Sequence, residues 1–324
     1  MEKNNSKLIS TICILAAGSL WGIMGLFVRN LSLDGLTSIE ISTVRPILST
    51  LLVCIFLLIK DKSLFRVETK DMWVFVGTGV ISLTFFNICY FTTLTRTSMA
   101  VSAILMYTSP VFIVILSFFI FKEKISPLKI VALFVALAGI VLVTGVLSSG
   151  DSAVSVSIIL IGLGSGLGYA LYSIFGRFAI MKKYSSETIT FYTFMFAAWG
   201  MVLYNMILGA ISGNVFGNFE NLYDKIANGR TMTDILLFLG QTVFATVLPY
   251  LLYTKGLEGV ENGKAGIMAS IEPVVASLLG MFVYGEILSP SSYVGVVLVL
   301  AAVVMLNLTN PKTSGKKHTK SNCS

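Results

Sequence analysis

The chain has 324 residues, of which 55% are hydrophobic and only 12% charged, with a mean hydropathy of +0.87. A soluble domain carries about 25% charged residues, and a water-facing shell built from half that number would expose apolar patches far larger than monomers tolerate. That excludes a soluble enzyme; the net charge of +7 is scattered among loops and is no nucleic-acid signal.

Cys13, Cys54, Cys89 and Cys323 form neither a disulfide nor a zinc pattern, and His318 is the only histidine. Histidine-based triads and metal sites are therefore absent from the expectation, and no cofactor or metal is predicted.

Runs of about 20 apolar residues, the length needed to cross a ~30 Å bilayer core, number ten in chain order. They cover residues 8–29, 39–59, 72–93, 98–121, 129–147, 157–178, 188–209, 233–254, 264–284 and 292–308. The first is too long for a signal-peptide core and is followed at once by further spans, so it is read as an uncleaved helix. The polar stretch 148–156 separates two halves, residues 1–147 and 157–308. A second polar stretch, 210–232, reads as an external loop, and residues 309–324 as a Lys/Ser/Thr-rich cytoplasmic tail. The glycines at 162–168 are read as close-packing positions, since no strand or basic loop accompanies them.

Placing the N-terminus in the cytoplasm puts eighteen Lys and Arg in inside segments and four (Arg29, Arg96, Lys225, Arg230) outside. An asymmetry that alternates in phase with ten spans predicts both termini inside.

The sequence also repeats itself. At an offset of 163, Tyr90 meets Tyr253, Pro110 meets Pro273, Glu123 meets Glu286, and Ser126-Pro127 meets Ser289-Pro290. An offset of 148 pairs Gly18 with Gly166, Trp21 with Tyr169 and Arg29 with Arg177. Two halves of five spans each must enter the membrane from opposite sides. The expected fold is thus an all-α integral membrane protein of ten transmembrane helices, arranged as two five-helix inverted-topology repeats. Such repeats recur in secondary transporters, with the substrate site near the midplane.

Trp21-Gly22, Arg45, the Pro110 span ending at Glu123, and Ile271-Glu272-Pro273-Val274 leading to Tyr284-Gly285-Glu286 resemble the EamA branch of the drug/metabolite transporter superfamily. The resemblance covers about residues 8–308. It implies ten helices around a central cavity and movement of amino acids, their derivatives or other small metabolites, often outward. It does not specify the substrate. One departure is Ser109 before the first-half proline, where the second half has Glu272.

Only Glu272 among the acids and Arg45 among the bases lie well inside a span, where a charge costs ~2.5–3.5 kcal/mol on insertion scales and demands a partner or a wet cavity. Glu272 is about 12 Å into its helix at 1.5 Å per residue. It reads either as a proton-accepting or ammonium-binding carboxyl or as a hydrogen-bonded brace. Arg45 is open to three uses: pairing with Glu40, binding a substrate carboxylate, or snorkelling outward. Pro110 and Pro273 each remove an N–H and free the carbonyl four residues before, at Met106 and Ala269, and are read as helix kinks. Pro249 is a third kink candidate. Trp21, Tyr107, Ser109 and Gln241 complete the candidate substrate-binding set, while Trp73, Tyr284 and Tyr293 are read as interfacial anchors.

The function expected is a secondary transporter of the cell membrane that moves a small polar or amphipathic metabolite by alternating access. An amino acid or derivative, outward movement and proton coupling through Glu272 are favoured, in a monomer or homodimer. The alternatives are a channel, a non-transporting receptor and, less favoured, an intramembrane enzyme. An enzyme would need a nucleophile and base that the spans do not offer, and a channel a ring of like groups.

Overall fold

The computed structural model describes residues 2–97, 99–144, 155–228, 231–285 and 289–308. Most of the linker at 148–156, the tail at 309–324 and Glu286 lie outside them. The described residues form helices joined by short turns, with no strand among them.

Among the described residues, eight helical stretches are long and apolar enough to cross a bilayer, and two more, beginning at Pro127 and Pro290, are apolar but shorter. The first stretch comprises α1 (Glu2–Gly22) and α2 (Met24–Leu33), broken at Ile23. The second is α3 (Ser38–Lys60), begun by a reciprocal cap between Thr37 and Glu40. The third runs through α4 (Met72–Val76), a π-helical segment Gly77–Thr84 and α5 (Phe85–Leu94). The fourth is α6 (Met99–Met106) and α7 (Ser109–Phe121), followed by the shorter α8 (Pro127–Val143). Then come α9 (Val156–Met181) and α10 (Ser186–Ile211). The seventh long stretch is α12 (Thr231–Thr242), π-helical Val243–Val247 and α13 (Leu248–Leu257). The eighth is α14 (Asn262–Ala269) and α15 (Glu272–Tyr284), and α16 (Pro290–Leu308) ends the bundle.

At 17 residues, α8 is about 26 Å long, just under the thickness of the hydrocarbon core. Its sequence-predicted end, 145–147, falls outside the described residues. The π-helical segment of the seventh stretch runs directly into Pro249, which has no N–H to continue the regular ladder.

The polar stretch 210–232 is not all loop. Gly217–Asn228 forms an amphipathic helix, α11. Its Leu222 packs on the cluster of Leu31, Leu36, Ile41 and Phe238, and its Lys225 pairs with Glu40 at 2.9 Å. Polar composition hid the apolar stripe that seats it.

Helices pack in defined pairs: α1 on α13, α5 on α9, α3 on α10, α7 on α14, and α8 on α16. The last pair touches backbone to backbone. A Cβ on Gly139 would lie 2.8 Å from the Gly295 carbonyl oxygen, and one on Gly295 only 2.6 Å from that of Gly139. This is the small-residue packing by which helices associate in lipid. The outward faces are apolar, with Ile59, Trp199 and Phe282 among the most exposed side chains. The chain is a multi-pass membrane protein.

Candidate functional site

Two interrupted helices set the site. The α-helical hydrogen-bond ladder is interrupted by a tighter turn between Met106 and Ser109 and again between Ala269 and Glu272, in each case just before a proline. Pro110 and Pro273 occupy the second positions of α7 and α15, where a missing N–H costs nothing. Each break is covered by a glycine-bearing helix. A Cβ on Gly166 of α9 would lie 2.9 Å from the Leu105 carbonyl oxygen. One on Gly18 of α1 would lie 3.0 Å from the Ala269 oxygen, and one on Gly22 only 2.7 Å from that of Glu272.

Between these breaks lies a nest of aromatic rings. Trp21 meets Tyr169, Tyr250 and Tyr253 with ring centroids 5.8, 5.3 and 5.3 Å away, and Tyr172 meets Tyr250 at 4.8 Å. Trp21, Tyr169, Tyr172 and Tyr250, together with Ser82, Leu83 and Phe86, line a cavity of about 10 Å³, room for roughly one water. Glu272, the first residue of α15, receives the Tyr169 hydroxyl at 3.5 Å, and the Tyr107 hydroxyl from the opposite break also interacts with it. Tyr107 therefore links one interrupted helix to the other. Ser109 is buried at the start of α7.

Arg45 does not pair with Glu40, whose carboxylate is taken by Lys225 and by the cap of α3. Its guanidinium instead donates from Nη2 to Asn87 Oδ1 at 3.3 Å and from Nη1 to the Met24 sulfur at 3.5 Å. Gln241 donates to the same sulfur at 3.4 Å. Tyr250 lies within electrostatic reach of both Arg45 and Glu272. The expected set is thus divided in two: Trp21, Tyr107 and Glu272 belong to the aromatic nest, Arg45 and Gln241 to a polar cluster beside it.

Beyond the aromatic nest, toward the end that carries Lys60 and Lys182, a charged network ties helices together. Glu123 accepts the backbone N–H groups of Asn262 and Gly263 at 2.8 and 3.1 Å, at the N-terminus of α14. Lys129 Nζ is 3.6 Å from Glu123 and 3.0 Å from Glu261. Arg177 approaches Glu123 at 4.0 Å and donates to the Leu257 and Val260 carbonyls. At the opposite end Arg29 stacks 3.9 Å above the Tyr284 ring, and Asn30 donates to the Tyr284 hydroxyl at 3.0 Å. Tyr284 is engaged by α2 and does more than anchor an interface.

Asn87, Met24, Tyr169 and Tyr250 are absent from the sequence-derived set. Tyr169 carried a usable signal, since it is the repeat counterpart of Trp21. Met24 carried none, because a methionine in an apolar span announces nothing.

Among the described residues no group of three or more potential ligands could hold a metal ion. The sequence profile of the EamA-like transporter family matches residues 8–145 and 156–308, two segments that together take in most of the chain. An uncharacterized transporter of Archaeoglobus fulgidus is 25% identical over 293 residues, covering 90% of this chain and 94% of the relative. The uncharacterized transporter YwfM of Bacillus subtilis is 26% identical, covering 92% and 94%. The uncharacterized inner membrane transporter YicL of Salmonella typhimurium is 23% identical, covering 91% and 94%. One crystal structure shares the fold with a TM-score of 0.72 at 16% identity, covering 92% of this chain and 96% of that one.

Proposed function

Because the chain belongs to the EamA-like transporter family, we propose that it is a secondary transporter that carries a small polar or amphipathic metabolite by alternating access. The observation that carries this reading is the meeting of two interrupted helices through Tyr107 and Glu272, beside a small aromatic cavity whose Tyr169 reaches the same carboxylate. Irregular backbone at membrane depth is tolerated only where protein or a water-filled cavity satisfies it. Two such breaks facing each other offer a hinge in each half.

The ten spans act as two inverted five-span halves. Exchanging the halves turns the packing of the first span on the eighth into that of the sixth on the third. The second–seventh, fourth–ninth and fifth–tenth pairs map onto themselves, and all five pairings occur. Opening at one end would part Glu123 from α14, and opening at the other would part α2 from Tyr284. The positive-inside count assigns the Glu123 end and both termini to the cytoplasm.

The substrate favoured is an amino acid or derivative, moved outward, because one base and one acid flank the cavity region. Glu272 carries the coupling proton: among the described residues its carboxyl is held by the Tyr107 and Tyr169 hydroxyls and by no cation, so it exchanges a proton without breaking an ion pair. In proteoliposomes supplied with a labelled mixture of amino acids, the protein should show saturable uptake that is stimulated by substrate on the far side. Glu272→Gln should abolish uptake driven by a pH gradient while leaving exchange. Gradient-driven uptake unchanged in that variant would remove Glu272 from the coupling step, and uptake without trans-stimulation would favour a channel.

A further inference from the structure

Arg45, Asn87 and Gln241 direct more hydrogen-bonding capacity at one place than the protein uses there. Arg45 has no carboxylate partner among the described residues; its guanidinium donates to Asn87 Oδ1 and to the Met24 sulfur. Gln241 spends its amide N–H on the same sulfur. A thioether is a weak acceptor, so a guanidinium and an amide donate to a group that returns little. Asn87 and Gln241 are each 1% exposed, yet the Asn87 Nδ2 and the Gln241 Oε1 find no partner. A buried polar atom without a partner is costly, and of these two the Asn87 Nδ2 is a donor that an anion can satisfy, while the Gln241 Oε1 is an acceptor that calls for an N–H or O–H.

We infer that the place filled by the Met24 thioether is a subsite for a carboxylate carried by the transported molecule. A carboxylate offers two oxygens to Arg45, Asn87 Nδ2 and Gln241 Nε2, and charge-assisted bonds of this kind are the strong ones. One guanidinium supplies a single positive charge, which matches a carboxylate better than a doubly charged phosphate. Met24 suits the role of a removable stopper. Its side chain is unbranched and adaptable, and it is the first residue of α2, directly after the break at Ile23. Withdrawal of the thioether would be felt at that break, so filling the subsite and bending the first span become one event. This inference rests on the transporter reading and specifies which end of the substrate faces Arg45.

The test needs no knowledge of the substrate. In full-length protein in proteoliposomes, Met24→Cys is treated with sulfonatoethyl methanethiosulfonate or its trimethylammonioethyl analogue. Labelling at position 24 is read by peptide mass spectrometry, which separates it from the native cysteines, and each rate is divided by the reagent's rate on free cysteine. The anionic reagent should be favoured by at least about fivefold, the effect of one unit charge about 4 Å away even when fully screened by the dielectric of water. Adding Arg45→Gln should abolish the preference and Arg45→Lys should keep it. If Arg45→Gln does not fold, Asn87→Asp serves instead, since an added carboxylate should also cancel the preference. Equal normalised rates, a preference untouched by these changes, or no labelling from either face would overturn the subsite. No anion preference in Met24→Cys with amino-acid exchange intact would overturn the subsite alone. Absent exchange with the preference intact would overturn the carrier reading instead.

Discussion

Replacing Glu123 with alanine is expected to destabilise the protein by on the order of 3 kcal/mol, the usual result of removing one partner from a buried ion pair. The Glu123 side chain is 9% exposed and that of Lys129 only 3%. Alanine would leave Lys129 with the half-exposed Glu261 and the Lys124 carbonyl. It would also strip the acceptor from two N–H groups at the N-terminus of α14, where the helix dipole favours an anion. The contrast is Lys70 with Glu68, whose side chains are 74% and 65% exposed. Pairs so open to water contribute little, because solvent screens them. Thermal unfolding in detergent should therefore separate the two sites, with a fall of several degrees for Glu123→Ala and almost none for Glu68→Ala. Adding Lys129→Met to Glu123→Ala should recover part of the loss, because the stranded ammonium is then gone. Equal effects at the two sites would show that burial of the network contributes nothing.

The sequence made the membrane character and the unusual residues of the spans legible. Arg45 and Glu272 stand out because charge inside a span is costly, and Pro110 and Pro273 because no helix interior absorbs a proline without adjustment. The structure brings Glu272 to one break and Tyr107 to the other, a meeting that repeat alignment alone does not reveal. Met24, Asn87 and Gln241 come from three different helices, and no periodicity within one helix records a contact between helices. The partner of Glu40 was hidden for a related reason. Lys225 lies 185 positions along the chain on α11, in a stretch whose polar composition reads as loop. Composition reports how a segment meets water; it does not report which face it turns to its neighbours.

Gly22→Ala is expected to cost about 3 kcal/mol, at the upper end for overpacking a filled interior. The added methyl would stand 2.7 Å from the Glu272 carbonyl oxygen and 2.7 Å from the Val275 Cβ. Neither atom is the free end of a flexible side chain, so relief requires moving α1 or α15 as a whole. Gly25, three residues on, has nothing within 4 Å of an added Cβ. There the same change should be neutral or stabilising by up to about 1 kcal/mol, since alanine is the better helix former. Unfolding temperatures of the two variants test the pair, and a Gly25→Ala loss as large as that of Gly22→Ala would show that helix flexibility, not close approach, sets the cost. The consequence for transport follows from place. Gly22 holds the broken end of the first span against the residue proposed to carry the proton, two positions from the Met24 stopper. A methyl group that forces α1 away from α15 should lower gradient-driven uptake in proportion to the displacement of Glu272 from Tyr169. Replacing Gly25, where an added methyl would meet nothing within 4 Å, should leave uptake as it is.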